Sequence, residues 1–429
     1  DRTTSTYALD QNTYEELTHN LNINNVGFVT SVDVSTASDW KAVNFGMSYN
    51  LMQNFNQNYT IGGMNDETTM ADLYVYQANR NWDPPQNPDD ALGYPAYDSY
   101  YVYGFDSVSN EFWSFQTDHN DTAALAVKQR KFFDNEGSLG EFTFTFGANY
   151  AHKLYLGASI GLQRIRYKQT TNYTEHDEGS GNTDVFYWEE YEEQEHLNIS
   201  GSGFNLKLGA IYRPIDALRI GVAFHTPTFF SLEDEYYTSS STYYNDADFE
   251  PLEASVESEV NYFEYDITTP SRVIGSLAYI HKKLGLISVE YEYVDYTSGR
   301  IRADDFKFPD VNDAMSTDFV AAHNLRAGAE VRIAKAFSLR AGYAYYGNPY
   351  HSDLPKTDET LQRISGGLGI NSGGVFFDFS LTYDMQEASQ VLYNLPADNN
   401  NTVYKPTTLT QGNLDTERIR ALLTVGFRF

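Results

Sequence analysis

Guanidinium, ammonium and carboxylate groups recur at alternate positions in this chain, each series interleaved with an apolar one. In HNLRAGAEVRI (323–333), Asn324, Arg326, Glu330 and Arg332 share one phase; Leu325, Ala327, Ala329, Val331 and Ile333 share the other. The chain ends on ERIRALLTVGFRF, where Arg418 and Arg420 alternate with Ile419, Ala421, Leu423, Val425, Phe427 and Phe429. The same phase puts Lys207, Arg219, His225, Glu290, Glu292, Arg340, Arg363 and Asp378 on the polar side of their segments. Two chemistries fit. Opposite charges confined together pair with one another, because a buried charge needs a partner. Alternatively, one or two of the cations receive an anionic head group, which arginine binds bidentately. Spacing does not choose between them.

Covalent chemistry finds no support in the sequence. No HExxH, GxSxG, Walker A or strand-to-helix GxGxxG motif occurs. The His residues that sit beside acids, in TEHDE and EEQEH, lie within acidic blocks without metal-ligand spacing. There are no cysteines, which excludes disulfides and thiolate metal sites. We expect no enzyme, no catalytic residue, no metal and no cofactor. The net charge of −30 argues against nucleic acid, which is bound by clustered Lys and Arg. The acidic blocks TEHDEGSGNTDVFYWEEYEEQEH and SLEDEYYTSSSTYYNDADFEPLEASVESE read as solvated loops, with divalent cations shared with lipopolysaccharide phosphates as the sharper alternative.

The elements that carry these series are strands. Mean hydropathy is −0.50, and no apolar run reaches the ~18–20 residues of a spanning helix. Period-2 alternation recurs in WKAVNFGMSYNLMQNFNQNYTI, GEFTFTFGANY, LYLGASIGL, GFNLKLGAIYR, LRIGVAFHT, GLISVEYEYV, HNLRAGAEVRI, FSLRAGYAYY and VFFDFSLTYD. With less regular segments such as LNINNVGFVTSVDV, PSRVIGSLAYI and LQRISGGLGI it predicts about thirteen strands. Short connections, such as Ala151–Lys153 and His281–Lys283, alternate with long ones at Gly62–Gly137, Lys168–Ile199, Ser231–Thr269, Thr297–Ala322, Gly347–Thr360 and Glu387–Asp415. That rhythm is expected of a single outer-membrane β-barrel with tight periplasmic turns and larger external loops. Apolar faces then meet lipid and polar faces meet the lumen. The first visible strand precedes a short turn, so we expect one further strand upstream of Asp1, about fourteen in all, and a leader that either has been removed or lies ahead of a later start. The strand starting at Trp40 is long enough that its second half is expected to rise above the bilayer.

The largest loop, 62–137, is expected to hold a short helix in DETTMADLYVYQANRNW and a second in ALGYPAYDSYYVYGF. Its aromatics Tyr74, Tyr76, Tyr101 and Trp113 are candidates for an apolar binding groove; packing of the loops on one another is the other use for them. Pro227 and Pro270 mark strand breaks, either routine ends or a gap in the wall.

The segments GSGFNLKLGAIYRPIDALRIGVAFHTPTFFSLEDEY, GANYAHKLYLGASIGLQRIRY, TTPSRVIGSLAY, HNLRAGAEVRIAKAFSLRAGYAYYGNPY and the terminal FRF resemble the FadL-type outer-membrane transporters, Bacteroidetes-like branch, over about Leu21 to Phe429. The resemblance implies a fourteen-stranded barrel plugged by an N-terminal hatch in the outer membrane of a Gram-negative bacterium. It also implies passage of long-chain fatty acids or other hydrophobic molecules, with sideways exit through the wall. The family's Asn-Pro-Ala hatch motif is not in this chain. Because the branch includes secretion shuttles of the PorV type, a protein-interaction barrel is the alternative. Expected partners are outer-membrane lipids and lipopolysaccharide, a hydrophobic small molecule, and a protein in a membrane complex.

Overall fold

The computed structural model describes residues 1–34, 38–81, 99, 104–106, 111–113, 127–178, 188–244, 252–334, 336–352, 354, 359–393 and 411–429. The chain enters as a hairpin, β1 (Arg2–Tyr7) and β2 (Thr13–Leu17), followed by β3 (Asn25–Asp33), β4 (Trp40–Asn54) and β5 (Gln57–Asn65). The long strand expected from Trp40 is therefore two, joined where the Asn56 N–H leaves the ladder to bond Asn54 Oδ1 at 2.8 Å. The first expected helix is α1 (Met70–Asn81). The short strands β6 (Gly104–Asp106) and β7 (Glu111–Trp113) form a separate hairpin. Of the second expected helix only Ser99, a turn residue, and Gly104 and Phe105, in strand, are described; the rest lies outside the described residues.

Three very long strands follow: β8 (Val127–Tyr150), β9 (Leu154–Asp177) and β10 (Trp188–Ile215). β8 and β9 pair continuously from Val127↔Asp177 to Tyr150↔Leu154. The loop expected at Lys168–Ile199 is thus much shorter, and the one at Gly62–Gly137 gives up its two ends to strand, because the ladder continues past the apolar belt through polar residues such as Gln129, Tyr173, Glu175, Tyr191 and Glu193. β11 (Leu218–His225) and β12 (Phe229–Tyr244) both lie along β10, one continuing the other. β13 (Leu252–Glu257) and β14 (Asn261–Thr268) pair with β12, so most of the expected loop Ser231–Thr269 is also ladder. β15 (Arg272–His281) pairs with β11. Pro227 and Pro270 hence interrupt neighbouring strands side by side. The Thr269 N–H to Thr228 carbonyl bond (3.0 Å) and the Thr228 N–H to Thr269 Oγ1 bond (2.9 Å) bridge that joint.

The rest is β16 (Gly285–Asp295), a 3-10 turn at Tyr296–Ser298, β17 (Arg300–Arg302), α2 (Pro309–Asp318), β18 (Ala321–Arg332), β19 (Phe337–Tyr346), β20 (Leu361–Ser372), β21 (Val375–Val391) and β22 (Gln411–Phe427). Tight turns need two central residues with positive φ; Gly373 (59°) and Gly374 (91°) supply them between β20 and β21, and Ala151 and His152 do so between β8 and β9.

Near the short turns the wall order is β3-β4-β8-β9-β10-β11-β15-β16-β18-β19-β20-β21-β22, thirteen strands, each antiparallel to the next. Among the described residues β3 pairs only with β4, and β22 only with β21 and β1, so β3 and β22 do not pair with each other. β1 pairs with the upper part of β22, from Arg2↔Glu417 to Tyr7↔Gly412, and so stands in line with the seam below it.

Burial runs opposite to that of a water-soluble domain. Phe142, Phe144 and Phe146 on β8, Leu156, Ile160 and Leu162 on β9, Phe204, Leu206 and Leu208 on β10, Ile364, Leu368 and Ile370 on β20, and Ile419, Leu423 and Val425 on β22 are 36–72% exposed. Their polar neighbours Glu141, Gln163, Asn205, Glu292, Asn324 and Asp384 are at most 8% exposed. An apolar belt outside and polar groups within is the profile of a barrel that spans a bilayer. Among the described residues no helix is long and apolar enough to cross a membrane; the strands are the crossing elements.

Candidate functional site: a polar lumen and its capped mouth

Cross-strand register brings the inward charges together. On β16 and β18, Glu290 and Glu292 flank Arg326, which bonds both, reaching Glu292 at 2.9 Å; Asn324 adds a bond to Glu292 at 2.7 Å. Asp384 on β21 accepts two bonds from Arg363 (2.6 and 2.8 Å) and one from Arg420 (2.7 Å). Glu330 holds Arg332 at 3.2 Å and Arg340 at 2.9 Å, and Arg340 reaches Asp378 as well. Glu141 takes Lys207, Gln163 (2.8 Å) and Thr143 (2.8 Å). Arg418 donates to Gln57 at 2.8 Å, across to the strand that continues β4. Arg219 lies opposite Ala278 with no ion pair among the described residues. The inward series thus forms four local networks, with the guanidiniums largely occupied by the barrel's own carboxylates.

Above the belt, the outer halves of β8, β9 and β10 enclose the start of α1. The α1 backbone begins on Glu175, whose Oε1 accepts the Met70 N–H (2.8 Å), Gln129 Nε2 (2.8 Å) and the Tyr173 hydroxyl (2.5 Å). One turn on, Tyr74 donates to Glu193, which also accepts Tyr191 at 2.6 Å. Two residues along β10, Glu195 meets Lys131 (2.8 Å), Thr171 (2.7 Å) and Tyr236 (3.2 Å). Around these bonds Tyr7, Tyr59, Ile61, Met70, Ala71, Tyr74, Val75, Phe133 and Leu392 form one core. Tyr393, between Thr68 and Gln129 at 2.9 Å each, completes it.

Burial sets the electrostatics here. It pushes the Glu193 carboxyl up, the neighbouring Glu195 carboxylate adds to this, and the two tyrosine donors offset only part. Burial also pushes Asp72, whose Oδ2 accepts the Thr69 N–H at 2.9 Å, up to about 7. Burial acts on Glu195 in the same sense, but Lys131 and the Thr171 and Tyr236 hydroxyls together outweigh it and leave that carboxyl below its usual range.

Tyr74 is 2% exposed within this core, with its hydroxyl on Glu193. Tyr76 lies on α1 and Trp113 on β7, but their side chains, like all of Tyr101, lie outside the described residues. The acidic blocks are not wholly solvated: Glu175 is 0% and Glu193 3% exposed. Among the described residues no group of three or more His, Asp or Glu is arranged to hold a metal ion. Sequence reasoning passed over Gln129, Lys131, Glu175, Glu193 and Glu195 as loop residues. Their signal was the unbroken period-2 series Tyr173–Glu175 and Tyr191–Glu193–Glu195, which continues each strand past the belt.

No family model matches the chain, and no curated protein matches it. Solved structures do. The Pseudomonas putida toluene transporter TodX aligns with 100% of this chain and 87% of its own, at 11% identity and TM-score 0.46. A Pseudomonas aeruginosa FadL homologue aligns over 98% and 79%, at 13% identity and TM-score 0.46. The Ralstonia pickettii toluene transporter TbuX aligns over 100% and 86%, at 11% identity and TM-score 0.42. At these identities and TM-scores the likeness carries no assignment of function. The chain is a β-barrel similar in fold to these two toluene transporters and this FadL homologue.

Proposed function

We propose that this chain is an outer-membrane channel that admits small hydrophobic or amphipathic molecules through a mouth closed by α1. The observation that carries the reading is the seating of α1: its first two turns are bonded to the wall, at Glu175 and then at Glu193, above a polar lumen. A hydrophobic solute entering there meets the Tyr- and Phe-rich core first. Long-chain fatty acids are the finer proposal, since the inward Arg219, which has no ion pair among the described residues, can hold a carboxylate head group bidentately.

The test uses the chain's lack of cysteine. Met70→Cys and Glu175→Cys, bridged by a short cleavable thiol reagent in proteoliposomes, should stop entry of a fluorescent long-chain fatty acid; cleavage should restore it. Unchanged flux with α1 tethered, or no flux in the untethered protein, contradicts the proposal. The second reading, a protein-interaction barrel, draws on the outer strands beyond the belt, with β13 as the outermost addition to β12. A stoichiometric partner recovered with the parent and lost when β13 is removed would favour it.

A further inference from the structure

We infer that the outer surface of β9, immediately above the apolar belt, binds the phosphorylated sugar head of a membrane glycolipid. The outward series on β9 runs Leu156, Ala158, Ile160, Leu162 and then, without a break in phase, Arg164, Arg166 and Lys168. Leu162 is 47% exposed, and all three cations are exposed. At ~3.3 Å per strand residue, Arg164 stands about 7 Å above Leu162, the depth at which acyl chains give way to head groups.

The surroundings leave these cations free. Arg164 is flanked across the ladder by Gly140 and Ser202, and Arg166 by Ser138 and Ser200. Lys168 faces Glu136 and Asn198. None of the three has an ion pair among the described residues, whereas Lys131, Lys207, Arg326, Arg340, Arg363 and Arg420 are all paired. Ser138, Ser200 and Ser202 leave a trough beside the β9 side chains, bounded at Gly140 by the ring of Tyr49. One row down, Phe142, Leu162, Phe204 and Phe229 form a continuous apolar shelf across four strands. In a protein of net charge −30, three unpaired cations on one strand make a local attractor for phosphate.

The trough has an acidic far wall. A cavity of about 330 Å³ is lined by Glu136, Arg166, Lys168, Ser200, Glu233 and Glu235. Glu233 and Glu235 stand on β12, two strands from β9, hence roughly 10 Å away. Carboxylates repel a bare phosphate but accept bonds from sugar hydroxyls. Cations on β9, carboxylate acceptors on either side of them (Glu136 on β8, Glu233 and Glu235 on β12) and an apolar shelf beneath fit a phosphorylated sugar carrying acyl chains better than a free anion. The inference rests on the belt facing hydrocarbon, and not on what passes through the lumen.

The test is native mass spectrometry of the delipidated full chain in detergent, titrated with bisphosphorylated lipid A. The parent should bind it, and lipid A stripped of phosphate should bind at least tenfold more weakly. Arg164→Gln, Arg166→Gln and Lys168→Gln together should also weaken binding at least tenfold, and excess inorganic phosphate should not displace the lipid. Should the triple variant not fold, judged by heat-modifiable gel mobility, Arg166→Lys should keep binding and Arg166→Glu should lose it. Unaltered binding in the folded triple variant or in Arg166→Glu overturns the inference. So does displacement by inorganic phosphate as complete as that by unlabelled lipid.

Discussion

The hydroxyl of Tyr74 donates to the carboxylate of Glu193, joining helix α1 to the barrel wall at a point closed to solvent. Tyr74→Phe keeps the ring and deletes the bond, leaving Glu193 with the Tyr191 hydroxyl. A bond to a buried charged group contributes about 1.5–3 kcal/mol. The variant should therefore expose α1 to hydrogen exchange and proteolysis, while the belt strands keep their protection. Equal protection of α1 in parent and variant would count against the latch.

Docking of α1 should weaken as pH rises. Asp72 has its carboxyl raised to about 7 by burial, and Glu193 is raised in the same direction. The docked state holds these protons more tightly than the free state. The stabilisation is complete below the ordinary carboxylate range and is lost as pH climbs through about 7. Glu195, lowered beside Lys131, loses its contribution only in acid below the usual carboxylate range. Exchange at α1, corrected for the intrinsic rate, should thus be faster at pH 8 than at pH 5, and Asp72→Asn should flatten the profile. A slower rate at pH 8 would contradict the assignment.

Lys207 is the ammonium that holds Glu141 in the lumen, where the Glu141 side chain is 2% exposed. Lys207→Met leaves that carboxylate without its cation, a loss of about 3–5 kcal/mol for a buried pair broken on one side. Adding Glu141→Gln should recover part of it. Denaturant midpoints of the three variants in detergent check this; a double variant less stable than Lys207→Met would refute the pairing.

Among the described residues the seam between β3 and β22 leaves ladder groups unpaired at membrane depth, which lipid does not tolerate cheaply. Residues of β22 and of the segment entering β3 line a cavity of about 560 Å³ there. One antiparallel strand in line with β1 would satisfy both edges. A chain extended ahead of Asp1 by about ten alternating residues, enough for one crossing, should melt higher and protect the amides of Arg418–Phe427. No gain in either measure would argue that the seam closes by itself.

Much of the wall was legible in the sequence. Alternation such as Leu325–Arg326–Ala327 recurs wherever one face is greasy and the other charged, and thirteen expected strands match the thirteen of the lower wall. The faces of Arg326, Glu330 and Arg363 followed from the same phase. The mouth was not legible. In TNYTEHD and YEEQEHL the inward groups are tyrosine and glutamate and the outward groups are polar too, so hydropathy does not alternate although the strand continues. Burial of Glu193 depends on α1, brought in from 119 residues away by the Tyr74 contact, which strand period does not encode. The hairpin of β1 and β2 was missed for the same reason: its buried Thr3 and Ser5 are polar.

The central claim is that the outward face lies in hydrocarbon. Its most direct test compares single tryptophans at adjacent positions of β22, Leu423→Trp and Thr424→Trp, in a background with the four native Trp residues replaced. In bilayers brominated deep in the acyl chains, fluorescence from position 423 should be strongly quenched and that from 424 spared. Equal quenching at both positions, or none at 423, would contradict the account.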